Sequence, residues 1–106
     1  MAKFLVRVSL TTDGVQLLRK QKASGRRAAV EKVVKENGGK IEAFYYAFGQ
    51  DDVITIMEFP DNTAAAAMSL VSNASAFVRT AATPLISVEE MDKAVEKAAK
   101  LSSLFQ

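Results

Sequence analysis

GGKIEAFYYAFGQDDVITIMEFPD, residues 38–61, decides the fold. Gly38-Gly39 ends whatever precedes it, because glycine accepts the left-handed backbone found at helix C-termini. Lys40–Phe48 then alternates, with Ile41, Ala43, Tyr45 and Ala47 against Glu42, Phe44, Tyr46 and Phe48, the period of two of a strand. After Gly49-Gln50-Asp51, the β-branched run Asp52–Phe59 predicts a second strand that pairs back on the first. Pro60-Asp61 closes the unit and starts a helix with Asp61 as its N-cap. Both faces of this hairpin carry large apolar or aromatic side chains. Helices cover one face, and the other needs a cover of its own.

Upstream, Lys3–Leu10 sets Phe4, Val6, Val8 and Leu10 against Leu5, Arg7 and Ser9, a half-buried strand with one apolar face. Thr11-Thr12-Asp13-Gly14 breaks it and offers capping side chains. Val15–Lys22 is a short helical or irregular piece, with Ser24-Gly25 as a second N-cap and a helix over Arg26–Asn37. Val30, Val33 and Val34 make its buried stripe, and Arg26 and Arg27 stand one turn earlier.

Downstream, Thr63–Ala74 has high helix propensity, with Ala64, Ala67, Met68 and Val71 on one face. Phe77–Ile86 predicts a fourth strand, ended by Pro84 near its edge. Ser87 and Glu90 form a capping box for a last helix whose apolar side carries Val88, Met91, Val95 and Ala98. The order β-α-β-β-α-β-α is the split β-α-β, or ferredoxin-like, α+β arrangement with a C-terminal helix. One domain over residues 1–106 is expected, with 88–106 as terminal helix and tail. Its four-stranded antiparallel sheet has one bare face. Leaving that face wet would forgo about 1.5–3 kcal/mol for each large apolar side chain. Pairing with a second copy, in a dimeric α/β barrel, is the expected resolution.

The composition narrows the chemistry. No cysteine means no disulfide, thiol nucleophile or thiolate metal site, and no histidine means no imidazole base, catalytic triad or His-ligated metal. Catalysis would fall to carboxylates, Lys, Arg, Tyr or hydroxyls. Neither a metal nor a cofactor is expected. Net charge +2 hides an asymmetry: residues 15–40 hold eight bases and two acids, leaving −4 elsewhere. These bases read as a solvated helix face, since no aromatics interleave them and Glu31 and Glu36 interrupt, so no nucleic-acid partner is expected. Residues 2–10 lack a signal-peptide pattern and no apolar run reaches a membrane-spanning length of about 18 residues. A cytoplasmic protein with no membrane partner is expected.

Several residues together carry a family resemblance. They are Gly14, Arg26-Arg27, Gly38-Gly39, Glu42-Ala43-Phe44-Tyr45-Tyr46-Ala47-Phe48-Gly49, Asp52, Pro60-Asp61, and Arg79-Thr80 with Thr83-Pro84-Leu85. Over roughly residues 3–90 the chain resembles the GYD-domain proteins, small bacterial proteins related to the dimeric α/β barrel group. The resemblance implies the fold and the paired assembly, and no particular activity. Where the family usually has Gly-x-Tyr-Asp, this chain has Gly49-Gln50-Asp51-Asp52, so a role carried by that phenol does not transfer.

The candidate site residues are the polar groups inside strands. Arg7, Glu42 and Glu58, with Arg79, would grip an anion or pair with one another if they faced an enclosed cavity. Arg7 lies opposite the Phe4/Val6/Val8 face and is expected on the sheet surface away from the helices. Tyr45 and Tyr46 point to opposite faces, and Tyr46 is the expected second polar contact to a ligand. Asp51 and Asp52 read as turn formers rather than a carboxylate pair. The expected function is a homo-oligomeric barrel binding a small, partly apolar molecule between its sheets. A cofactor-independent monooxygenase- or isomerase-like enzyme and a purely structural, partner-binding subunit are the alternatives. No residue is assigned as catalytic.

Overall fold

A computed structural model describes residues 1–105 of the chain. Its elements are β1 (Ala2–Leu10), α1 (Thr12–Glu36), β2 (Lys40–Tyr46), β3 (Val53–Phe59), α2 (Asn62–Ala74), β4 (Val78–Leu85) and α3 (Val88–Ala98). The strands form one sheet in the order β2-β3-β1-β4, with every neighbouring pair antiparallel. This is the ferredoxin-like α+β arrangement expected from the element order.

Strand alternation divides the sheet. Phe4 and Val6 of β1 and Val53, Thr55, Met57 and Phe59 of β3 are buried on the helix side. Val34 of α1 and Ala65 of α2 pack into the same core, and Phe4 and Phe59 meet as tilted rings 6.1 Å apart. Thr55 is the one polar residue buried there among the described residues, and its hydroxyl donates to the Val6 carbonyl at 3.2 Å. That bond removes most of the cost of burying an oxygen among hydrocarbons.

A β-bulge explains the two-sided hairpin. Ile41 pairs with Met57 and Ala43 with Ile56, so Glu42 is an extra residue with no partner opposite. Ile41, Phe44 and Tyr46 therefore share the helix side although they do not share parity, while Ala43 and Tyr45 face away. β2 ends at Tyr46, two residues sooner than the alternation predicts, and the Ala47 N–H still bonds the Asp52 carbonyl at 2.8 Å at the base of the turn.

Two glycines are set by close approach. A Cβ on Gly14 would collide with the Phe77 carbonyl oxygen, and one on Gly39 with the Glu58 carbonyl oxygen. Gly14 lets the start of α1 lie against the start of β4, where Thr11 donates its N–H to the Phe77 carbonyl at 3.0 Å and its hydroxyl to the Ala76 carbonyl at 2.6 Å. Gly38, at φ 76°, ends α1 in the left-handed conformation, as expected.

The two helical pieces expected before Gly38 are both present within α1 and meet at Lys22, where the first was expected to end; the expected Ser24-Gly25 cap is not what separates them. Lys22 has φ 64° and ψ 169°, a region that is essentially glycine-only and costs on the order of 1–3 kcal/mol. Two bonds flank the bend. Arg26 donates to the Gln21 side-chain oxygen at 3.2 Å, and the Tyr46 hydroxyl donates to the Ala23 carbonyl at 3.2 Å.

The C-terminal helix behaves differently from the other two. α3 has its predicted capping box, with the Ser87 hydroxyl accepting from the Glu90 N–H at 3.0 Å and Glu90 reaching back to the Ser87 N–H. Yet every residue from Val88 to Ala98 is exposed, its apolar stripe included. The radius of gyration is 16.8 Å and the longest dimension 56 Å, against about 13 Å for a compact chain of this length.

Candidate functional site

The sheet's helix-free side is the first candidate. No described helix lies over it. Leu5, Ile54 and Ile56 form its apolar centre, Tyr45 stands 70% exposed beside them, and Arg7 projects between its strand neighbours Ile54 and Ala81. Arg79 stands further along β4, opposite Ser9. Neither arginine has a carboxylate partner among the described residues. The acids on this side are engaged: Glu42 holds Lys3 at 2.8 Å and Glu58 holds Lys40 at 3.5 Å. The hydrogen bond that Lys3 donates to Glu42, then the Glu42 charge, raise the Lys3 ammonium above its ordinary value, with Glu58 adding to the effect. Both ion pairs sit at the Lys3 end of the sheet. Arg7 is four residues along β1 from Lys3, about 13 Å at the rise of a strand.

Arg7, Glu42 and Glu58 thus share this face, but Tyr46 is not with them. It pairs with Val53 on the helix side, its ring stacks edge-on to Phe44 at 5.5 Å, and its hydroxyl is taken by Ala23. Burial raises the Tyr46 phenol above its ordinary value, against a smaller opposing pull from the Arg26 guanidinium. Arg7 and Tyr46 point to opposite sides of one sheet and cannot contact one molecule on the same subunit face. Tyr45 is the tyrosine that accompanies Arg7.

Asp52 is structural. Its carboxylate accepts the Leu10 N–H at 2.7 Å while its own N–H donates to the Val8 carbonyl at 2.9 Å, tying the hairpin turn to the end of β1. Among the described residues no cluster of three acidic side chains is placed to hold a metal ion. On α1, Arg27 pairs with Glu31 at 2.8 Å and lies 6.0 Å over the Phe44 ring, and its basic neighbours Arg19, Lys20 and Lys22 face outward as exposed residues.

The second candidate lies on the other side of the sheet and was not anticipated. α1 packs chiefly on β2 and α2 chiefly on β4, and between them a cleft of about 320 Å³ opens above β1. Its walls are apolar, among them Phe4, Val30, Phe59 and Met68, and Arg26 is its sole charged lining residue. A smaller space of about 70 Å³ beneath the first half of α1 shares Arg26, Val30 and Met57 with it. The signal for Arg26 was in the sequence: Arg26, Val30 and Val33 follow i, i+4, i+7 spacing, so the guanidinium rides the buried stripe. Asn73 was also missed. Its side-chain oxygen accepts the Thr80 N–H at 2.7 Å and thereby caps an edge-strand amide that has no strand partner on that side.

A four-stranded antiparallel sheet with two helices on one side, an uncovered side and a free-standing third helix defines a small ferredoxin-like α+β fold. The GYD-domain family matches residues 4–95, and the chain belongs to that family. No curated protein and no solved structure matches it. Among the described residues no helix is long and apolar enough to cross a membrane.

Proposed function

We propose that this chain is a subunit of a homo-oligomer that closes its bare sheet face against a second copy and holds a small, partly apolar molecule there, beside Arg7. The observation that carries the reading is the bare face itself, where Leu5, Ile54, Ile56 and Tyr45 surround a guanidinium without a carboxylate partner. Ile54 and Tyr45 are exposed there, while Leu5 and Ile56 are half-buried. Burying a fully exposed large apolar side chain is worth about 1.5–3 kcal/mol, so a second copy gains part of that at each exposed position it covers. The exposed apolar stripe of α3 is further surface left to cover. A buried arginine needs an anionic partner, which a ligand carboxylate or enolate supplies.

Binding is favoured over catalysis on this face. Both of its carboxylates are bound to lysines at the Lys3 end of the sheet, about 13 Å along β1 from Arg7. That leaves the Tyr45 phenol, an ordinarily weak base, as the candidate base nearest Arg7 on this face.

Sedimentation equilibrium and native mass spectrometry of protein purified from its own host test the reading together. A dimer or larger mass that falls to the monomer in Ile54→Glu, with a retained small molecule lost in Arg7→Gln, is the expected result. A concentration-independent monomer mass for the wild type, or an oligomer that carries nothing, sinks it.

A further inference from the structure

We propose that the cleft between α1 and α2 is a separate binding site for an amphipathic organic anion, a medium-chain carboxylate whose tail lies on the apolar walls and whose head meets Arg26. The cleft lies on the opposite side of the sheet from Arg7 and needs no second copy. Three observations converge on it. The volume of about 320 Å³ is at the lower end of ligand pockets, which run roughly 300–1,000 Å³. The polarity is one-sided: apart from small hydroxyls such as Ser69, Ser72 and Thr80, the walls are hydrocarbon, and Arg26 alone carries charge. Among the described residues the guanidinium bonds one acceptor, the neutral Gln21 side-chain oxygen at 3.2 Å. A carboxylate replaces that bond with a shorter, charge-assisted and potentially bidentate one.

The backbone supplies an entrance. Lys22 sits in its strained conformation between Gln21 and Arg26, so the Arg26–Gln21 bond spans the bend. Exchanging that bond for one to the ligand loosens the Lys22 end of the Thr12–Gln21 segment beside the head group, while its start stays tied to β4 through Thr11 and Gly14. Residues held in such backbone regions concentrate at ligand clamps and hinges.

Methionine methyl groups read the site directly. Met57 and Met68 line the cleft, whereas Met91 lies on α3 and is 50% exposed. With 13C-methyl-methionine protein, titration with decanoate is expected to shift the Met57 and Met68 signals and leave Met91 unmoved. Arg26→Gln is expected to weaken decanoate at least tenfold, the loss of a hydrogen bond to a charged group. Decanol, with the same tail and no charge, is expected to bind that variant as it binds the wild type, which also reports that the variant is folded. Acetate is expected to shift nothing. No shift with decanoate, a shift confined to Met91, or equal decanoate affinity in Arg26→Gln overturns the proposal. Repeating the titration in Ile54→Glu separates the two sites: the Met57 and Met68 response is expected to persist there whatever happens to the oligomer.

Discussion

Gly14 and Gly25 lie in the same helix, yet the structure gives them opposite sensitivities. A methyl group at Gly14 meets the Phe77 carbonyl oxygen, which is backbone and cannot swing away, while at Gly25 the nearest atom is the Gln21 Cβ at 3.5 Å, an ordinary contact. Gly14→Ala should therefore lower stability by about 1–3 kcal/mol in urea unfolding. Gly25→Ala should raise it by about 0.4–1 kcal/mol through a less free unfolded chain. Equal effects at the two sites would contradict the packing of α1 on β4. Two further residues set the alkaline limit. The Lys3 ammonium and the Tyr46 phenol both have raised values, from ordinary ones of 10.5 and 10.0, so the folded chain holds both protons more tightly than the unfolded one. Their contribution is complete below the unfolded values and is lost as pH rises through the folded ones. The urea midpoint should stay level from neutrality and fall above about pH 10, and fall less steeply in a Lys3→Met, Tyr46→Phe double variant. An unchanged slope would show that these two protons do not set it.

At the scale of elements, periodicity carried most of the fold. Lys3–Leu10, the β-branched run before Phe59 and the Ser87–Glu90 capping box are short-range patterns, and each element formed where its pattern lies. What escaped the sequence depended on distant partners. Strict alternation in Lys40–Phe48 hides the bulge, because only pairing with Met57 and Ile56 reveals Glu42 as surplus. The break at Lys22 was legible as the end of the first helical piece, but the left-handed backbone there was not, nor were the Tyr46 and Arg26 bonds on either side of it. The site was legible in the same measure. Parity put Arg7 on the open face, but it could not say that Tyr46 would turn to Ala23, nor that two helices would part above β1. The bulge makes a sharp prediction. Deleting Glu42 removes the extra residue and leaves Ile41 toward the core and Ala43 away from it, at the cost of one exposed pair with Lys3. That variant should unfold within about 1 kcal/mol of the wild type. Deleting Tyr45 instead turns Ile41 and Phe44 over and should abolish cooperative unfolding in calorimetry.

At the scale of the whole molecule, the helix side and the open side of one sheet offer two different surfaces, one cleft-like and one flat. The flat one asks for a large partner and the cleft for a small one, and the family relationship assigns neither. The departure of α3 from the body has a practical consequence of its own. Compact chains reach a radius of gyration of 16.8 Å only at about 210 residues, twice the length of this one. A lone subunit with its last helix extended would leave a gel-filtration column near the position of a compact dimer. Elution volume would then report the shape of one chain as if it were the mass of two.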